Sequence, residues 1–310
     1  MIQQGFADRL LHRFALGNPR LRRWWFEQEC SRNNHAFDTD RRHVFICGMA
    51  RSGSTILLNE LQASGAFAAT CYRHMPFVLA PSLTRWSNRG RVPRHERRHG
   101  DAIEIDAQSA EALDGIFWNS FWPRQGRIIQ PRRPSPELLQ GYAQFIENLL
   151  QHSQRERYLT KMNQGIDLID TIAEKFRHSV VLVPFREPLQ QATSLKRQHA
   201  RFADLGHYET RYLQWLEHHE FGPDHRPFVG SDEAEKPVGG PDTLDYWLEQ
   251  WQRGYTYLAG LCALRRNLIP IGYEQMAESP ELWRQLSRRL DATVRGTPRS
   301  SRITTSPSSR

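Results

Sequence analysis

At 310 residues, with 39% hydrophobic and 25% charged residues, the chain has an ordinary globular composition and room for one substantial α/β domain. A formal charge of +8 and a pI near 9.6 favour an anionic partner: a nucleotide, a phosphate or sulfate ester, an acidic polysaccharide, a nucleic acid or a membrane surface. Four scattered cysteines, Cys30, Cys47, Cys71 and Cys262, argue against a disulfide framework or a C-x-x-C zinc site, and no run approaches the ~20 apolar residues of a membrane span.

The N-terminus, "MIQQGFADRLLHRFALGNPRLRRWWFEQEC", is broken by charges and has no signal-peptide apolar core, so a cytoplasmic protein is expected. Residues 1–40 read as a helical segment packed on the domain. Leu10, Leu11 and Phe14 beside Arg9, Arg13 and Arg20 also suit peripheral membrane contact. Arg42–Cys47 reads as a strand and Thr55–Ala63 as a helix after a Ser/Thr start. Thr84–Asp106 is polar and dense in Arg and His. Ile166–Phe176 has helical spacing, and "SVVLVPF" (Ser179–Phe185) is apolar enough for a parallel strand buried on both faces. Pro188 opens a further helix. Asp204–Asp242 is irregular and rich in His, Gly and Pro, and loops of this length in a compact domain are usually functional. A long helix, Thr243–Arg265, precedes the strand "LIPIG" (Leu268–Gly272), and residues 293–310 read as a flexible tail. The alternation predicts one α/β domain over 41–292, three-layer α/β/α around a mostly parallel sheet.

The strand–loop–helix "HVFICGMARSGSTILLNEL" has the spacing of a phosphate-binding P-loop, Gly48 to Gly53 followed by Ser54-Thr55. Backbone N–H groups and the helix dipole favour an anion there, the glycines let the backbone curl around it, and Ser52, Ser54 and Thr55 add hydroxyl donors. Ser54 stands where the usual lysine would be, and Arg51 supplies a cation instead. That disfavours ATP chemistry and suits a single 5′ phosphate or phosphosulfate. After the second strand come Arg186 and, eight positions on, Ser194, placed to meet a second phosphate at the sheet's carboxyl edge. Two grips after two strands suit a nucleotide phosphorylated in two places. "LEHHEFGPDHRPF" invites a metal reading, but the adjacent His218 and His219 leave a helix on different sides and no cysteine is near, so no metal site is expected from these two, Glu220 and His225.

These paired motifs resemble the sulfotransferase superfamily that uses 3′-phosphoadenosine 5′-phosphosulfate (PAPS), most of all its bacterial and protein-tyrosine branch. Its [K/R]-S-G-[T/S]-T loop is matched by Arg51-Ser52-Gly53-Ser54-Thr55, and its Arg and Ser eight apart by Arg186-Glu187-Pro188 and Ser194. The resemblance implies that Lys161, in "LTKMNQGIDLIDTIAEKF", stabilises the leaving oxygen with help from Arg51. It also implies that Tyr273, in "IGYEQM", belongs to the nucleotide site. It further implies sulfuryl transfer to a hydroxyl-bearing acceptor, a saccharide or small molecule by preference, with no nucleic-acid partner. Segments at about 75–135 and 203–242 would then face that acceptor. Some relatives place a glutamate base about twenty residues after the loop cation; Cys71 and Tyr72 stand there instead. His74 is the nearest competent base, with an ordinary pKa of ~6.5; Tyr72 and Arg73 remain alternatives. Two rivals stay open: a P-loop small-molecule kinase, and a non-catalytic nucleotide- or polyanion-binding protein.

Overall fold

Short apolar runs that leave no side for water drive the sheet. In the computed structural model, which describes residues 6–33, 37–38, 40–84, 95–96, 104–162, 165–230, 239–294 and 296, β1 (Val44–Cys47) is followed by a small antiparallel pair, β2 (His95–Glu96) and β3 (Glu104–Ile105). Then come β4 (Leu159–Met162), β5 (Val180–Phe185) and β6 (Leu268–Gly272), and the main sheet runs β4-β1-β5-β6, parallel throughout. Val44 is level with Leu159 on one side and Val180 on the other.

The strands' period of two sorts side chains between two cores. Val44, Ile46, Leu159, Val180 and Leu182 pack with Leu57, Leu58 and Leu61 of α3 (Ser54–Gln62) and with Trp283 and Leu286 of α11 (Pro280–Leu290). Phe45, Cys47, Val181 and Val183 face the other way. There they meet α4 (Gly115–Phe121), α5 (Pro136–Ser153), α6 (Ile169–Lys175) and α9 (Leu244–Leu264). Between these lie α7 (Pro188–Phe202) and α8 (His207–Trp215), and α10 (Tyr273–Glu278) follows β6. The result is the three-layer α/β/α arrangement expected from the alternation.

Some elements departed from the reading. β4 carries Thr160 and Lys161 in four residues, so its apolar signal is weak; pairing with β1 fixes it instead. α8 lies inside the stretch read as irregular, with Tyr208, Tyr212 and Trp215 recurring at helical spacing and touching one another. Most of Thr84–Asp106 and most of the 293–310 tail lie outside the described residues.

At the N-terminus, α1 (Phe6–Gly17) and α2 (Pro19–Arg32) are joined at Asn18, whose side chain accepts from Arg20 N and Leu21 N to cap α2. α1 buries His12, Ala15 and Leu16 yet leaves Leu10 51% and Phe14 64% exposed. Among the described residues no helix is long and apolar enough to cross a membrane.

The two segments that flank the sheet's carboxyl edge are tied together by buried charge. Arg124 grips Asp167 with two bonds (2.9 and 3.1 Å) and donates to Glu217 (2.6 Å), while Arg132 donates to the same Asp167 at 2.7 Å. Asn119 links Glu217 to Arg22 of α2. A parallel bridge, Ile129 with Phe228, joins the segments through backbone as well. Because these ions are buried, losing one partner strands the others, at a cost of about 3–5 kcal/mol.

Burial also makes the fold acid-sensitive. Burial holds His43, His74 and His225 neutral, with pKa values near 4, 3 and 4. The Nδ1 atoms of His43 and His74 accept backbone N–H from Tyr158 and Cys71, a role a protonated ring cannot fill. The unfolded chain takes up these protons from about pH 6.5 downward while the folded one resists, so stability is present above that pH and is lost below it. His12 and His199 are lowered by burial as well, while His219 is raised, burial being outweighed by Asp224 and Glu217, and works in the opposite sense, one group against five. Unfolding free energy is expected to fall between about pH 6.5 and 4, by up to ~1.4 kcal/mol per pH unit for each histidine. Urea titrations across that range measure it; a flat profile would contradict the assignment.

Candidate functional site

β1 delivers the chain to the phosphate loop at the sheet's carboxyl edge, and two glycines let the loop fit there. A Cβ on Gly48 would lie 2.9 Å from the Pro184 carbonyl oxygen of β5. Gly53 caps α3 at φ +93°, and a Cβ there would meet the Tyr273 ring at 2.5 Å. Arg51 also takes a left-handed conformation, φ +67°, which is uncommon for a side-chain-bearing residue. That turn sends its guanidinium to α7, where Nε donates to Ser194 Oγ at 3.0 Å. The two halves of the sequence constellation therefore touch directly. Ser52 and Ser54 are buried in the loop and Thr55 is half-buried at the start of α3.

Lys161 reaches the loop from β4. On that strand Leu159 packs toward α3 while Thr160 turns the opposite way to Asp114, so alternation aims Lys161 at α3. The side chain is 3% exposed; Nζ donates to Thr55 Oγ1 at 3.2 Å and stands 3.0 Å from Glu111 Oε1. Glu111 is held in turn by Tyr72 Oη (2.7 Å) and Ala112 N (2.9 Å). The sequence reading missed Glu111. Backbone pairing places it: Ala68 bridges Tyr158 alongside β4, and Cys71 then bridges Ala110, setting Glu111 beside Lys161. The acidic side chain lies some forty residues beyond the position where a glutamate was sought, and only a two-step pairing connects them.

On the second grip, Arg186 follows β5, its guanidinium 4.5 Å from the Tyr273 ring centroid. One nitrogen donates to Gln190 Oε1 at 3.0 Å, and Nε is buried with no hydrogen-bond partner. A pocket of about 310 Å³ opens there, lined by Arg186, Leu189, Gln190, Thr193, Ser194 and Arg197. Arg197, one turn beyond Ser194, is a cation that the sequence reading did not single out; its i, i+3 spacing from Ser194 carried the signal.

His74 is elsewhere. It is 1% exposed in a 3₁₀ turn (Tyr72–His74), its Nδ1 accepts Cys71 N at 2.9 Å, and its ring faces that of His152 at 6.0 Å. Burial, then the charge of Arg73, hold it neutral. This is the geometry of a turn-capping histidine. Of the alternatives named with it, Tyr72 is joined to the Lys161 cluster through Glu111.

The other histidines separate into distinct contacts. His218 stands 3.3 Å from Glu220, His219 lies 2.9 Å from Asp224, and His225 meets the Tyr246 hydroxyl at 2.6 Å. Among the described residues no group of His, Cys, Asp and Glu side chains is placed to hold a metal ion.

Beside Lys161 lies a narrow cavity of about 20 Å³ whose walls include Trp118, Met162, Leu168, Leu216, Arg124 and His218. Its floor is Asp114, fully buried, bonded by the hydroxyls of Tyr142, Tyr158 (2.7 Å) and Thr160 (2.9 Å). Burial raises its pKa against these three donors.

The sequence matches the model of the Sulfotransferase family over residues 43–293. The chain belongs to the sulfotransferase family. Its activity class is thereby sulfuryl-group transfer to an acceptor. The fold is also shared with solved structures. The sulfotransferase STF1 of Mycobacterium tuberculosis H37Rv aligns with a TM-score of 0.54 at 14% identity, covering 91% of this chain and 76% of that one. The sulfotransferase STF9 of Mycobacterium avium gives 0.53 at 14% identity, covering 93% and 73%. No curated protein matches the sequence.

The contact between Gly53 and Tyr273 yields a prediction. Gly53→Ala adds a Cβ inside the ring's contact distance at a left-handed φ, which should lower stability by about 1–3 kcal/mol. Removing the ring as well, in Gly53→Ala with Tyr273→Ala, should recover the part of the steric cost that the ring imposes, in a double-mutant cycle read by urea unfolding; Met276 Cε, 2.8 Å from the new Cβ, remains. Strict additivity would show that the two residues do not press on each other.

Proposed function

We propose that this sulfotransferase uses PAPS as donor and moves its sulfuryl group to a hydroxyl of a small-molecule acceptor, with Glu111 as general base. One observation carries the reading: Lys161, deeply buried, joins Thr55 of the phosphate loop to Glu111. The residues present suit a doubly phosphorylated nucleotide. Arg186 holds a buried Nε without a partner, and two glycines let the loop pack against Pro184 and Tyr273 at distances a Cβ would forbid. Arg51, Ser52, Gly53, Ser54 and Thr55 would hold the 5′ side, Arg186 and Ser194 with Arg197 the 3′ phosphate, and Tyr273 would brace Arg186. The donor supplies an activated sulfuryl group when bound.

The chain's own residues do the rest. Lys161 and Arg51 bring positive charge to the place where a leaving oxygen gains negative charge. Glu111, within reach of Lys161, accepts the acceptor's hydroxyl proton, and Tyr72 Oη fixes the carboxylate's orientation. The base role is thus assigned to Glu111 rather than to His74, whose Nδ1 caps a turn and whose ring is buried. Lys161 also weakens the kinase alternative. Its ammonium lies against Thr55, the hydroxyl that a Walker loop would offer to magnesium, and two cations repel at that spot.

The four cysteines are free, in keeping with a cytoplasmic setting, and outward Leu10 and Phe14 near Arg13 and Arg20 support peripheral contact with an anionic membrane.

Calorimetry with 3′-phosphoadenosine 5′-phosphate is the first test. Arg186→Ala should weaken binding by about 1.5–3 kcal/mol, and unchanged affinity would defeat the second grip. Transfer of labelled sulfate into a cell extract gives the second. Glu111→Gln should slow it ~10²–10⁴-fold with nucleotide affinity nearly intact; wild-type turnover in that variant would move the base elsewhere. Lys161→Ala should likewise cost rate more than ground-state affinity.

A further inference from the structure

The sheet has a second end, and its chemistry is unlike the first. Below the amino-terminal ends of β5 and β6 lies an open cleft of about 740 Å³. Arg186 and Tyr273 follow the opposite ends of those strands, about 20 Å away along a six-residue strand. The cleft is lined by Arg42, Arg177, Arg265, Arg266, Arg288 and Arg289. A single carboxylate, Glu174, lines it with them.

The arginines divide by what they touch. Arg265 is paired with Asp170 and Glu174 (2.8 and 2.9 Å), and Arg288 with Glu281 (3.0 Å). The other four form no ion pair among the described residues. Arg42 donates to the Arg289 carbonyl (2.7 Å), Arg289 to the Arg266 carbonyl (3.4 Å), and Arg177 to the His178 ring (3.2 Å). Contacts to neutral groups orient a guanidinium without cancelling its charge. All four residues are exposed. His178, also in the lining, stands 3.5 Å from the exposed Asp40, which adds little compensation.

We propose that this cleft is a binding site for a compact oligophosphate, a small anion bearing at least two phosphate groups. Four uncompensated guanidinium groups around one concavity call for more than one unit of negative charge, and their planar forks match tetrahedral oxyanions. The volume is that of a small-molecule site, and the cleft is walled by the ends of three helices, α6, α9 and α11, rather than running as a flat track for a polymer. Its residues are separate from the phosphate loop, Lys161, Arg186 and Ser194, so the site stands whatever becomes of the catalytic reading.

Inorganic tripolyphosphate is the probe, followed by titration calorimetry on the full chain at low ionic strength. Arg177→Glu with Arg266→Glu alters two exposed side chains that hold no other element in place. It should weaken binding at least about tenfold, whereas Arg186→Ala should leave this binding unchanged. Monophosphate should bind at least about tenfold more weakly than tripolyphosphate. Equal affinity for the two would mean a diffuse cationic surface and overturn the site. Loss of binding in Arg186→Ala but not in the charge-reversed variant would place the probe in the catalytic site and also overturn it. Heparin fragments that bind through these arginines while tripolyphosphate does not would assign the face to a polymer instead. Melting curves establish that the variants fold; should the double variant fail, Arg266→Gln alone carries the same comparison.

Discussion

A buried ammonium organises the site. Lys161 projects from a four-residue strand into a space with almost no water, and an unpaired charge there would be costly. Thr55 and Glu111 supply the partners. Each comes from a different part of the chain, so satisfying one cation fixes the relative positions of the phosphate loop, the edge of the sheet and the segment around Tyr72. The loop has no lysine of its own, and a cation enters instead from the neighbouring strand, at the threonine rather than inside the turn.

The second constraint is the glycine-lined seam between the loop and its surroundings. Gly48 lets β1's exit press on β5, and Gly53 lets α3 begin against Tyr273, which in turn lies under Arg186. Loop, tyrosine and arginine form one contiguous stack, closed by the bond from Arg51 to Ser194. The two halves of the proposed nucleotide site are thus held in register by direct contact, as a ligand of fixed length would require.

The sequence disclosed the parts of this that rest on short-range rules. The loop, the β5 strand, the helix opened by Pro188 and the Arg186–Ser194 pair all follow from spacing and local propensity. β4 escaped notice because Thr160 and Lys161 serve partners across the sheet instead of a continuous apolar face. Glu111 escaped because two isolated bridges, not a motif, bring it home. His74 looked chemical because of where it falls in the chain; its surroundings show a ring whose nitrogen caps a turn. The ring's burial is a property of the whole fold, which position in the chain does not carry. The arginine cleft was equally invisible, since its cations come from four separate chain segments.

The clamp of Arg124 on Asp167 and Glu217 has an implication for how such an enzyme diversifies. Arg124 is also a wall of the cavity beside Lys161. Reshaping that wall by a single replacement would orphan two carboxylates in the interior, so the wall itself is not altered by small steps. Variation is channelled instead to apolar neighbours such as Trp118 and Leu216, where a change of volume leaves the charge balance intact.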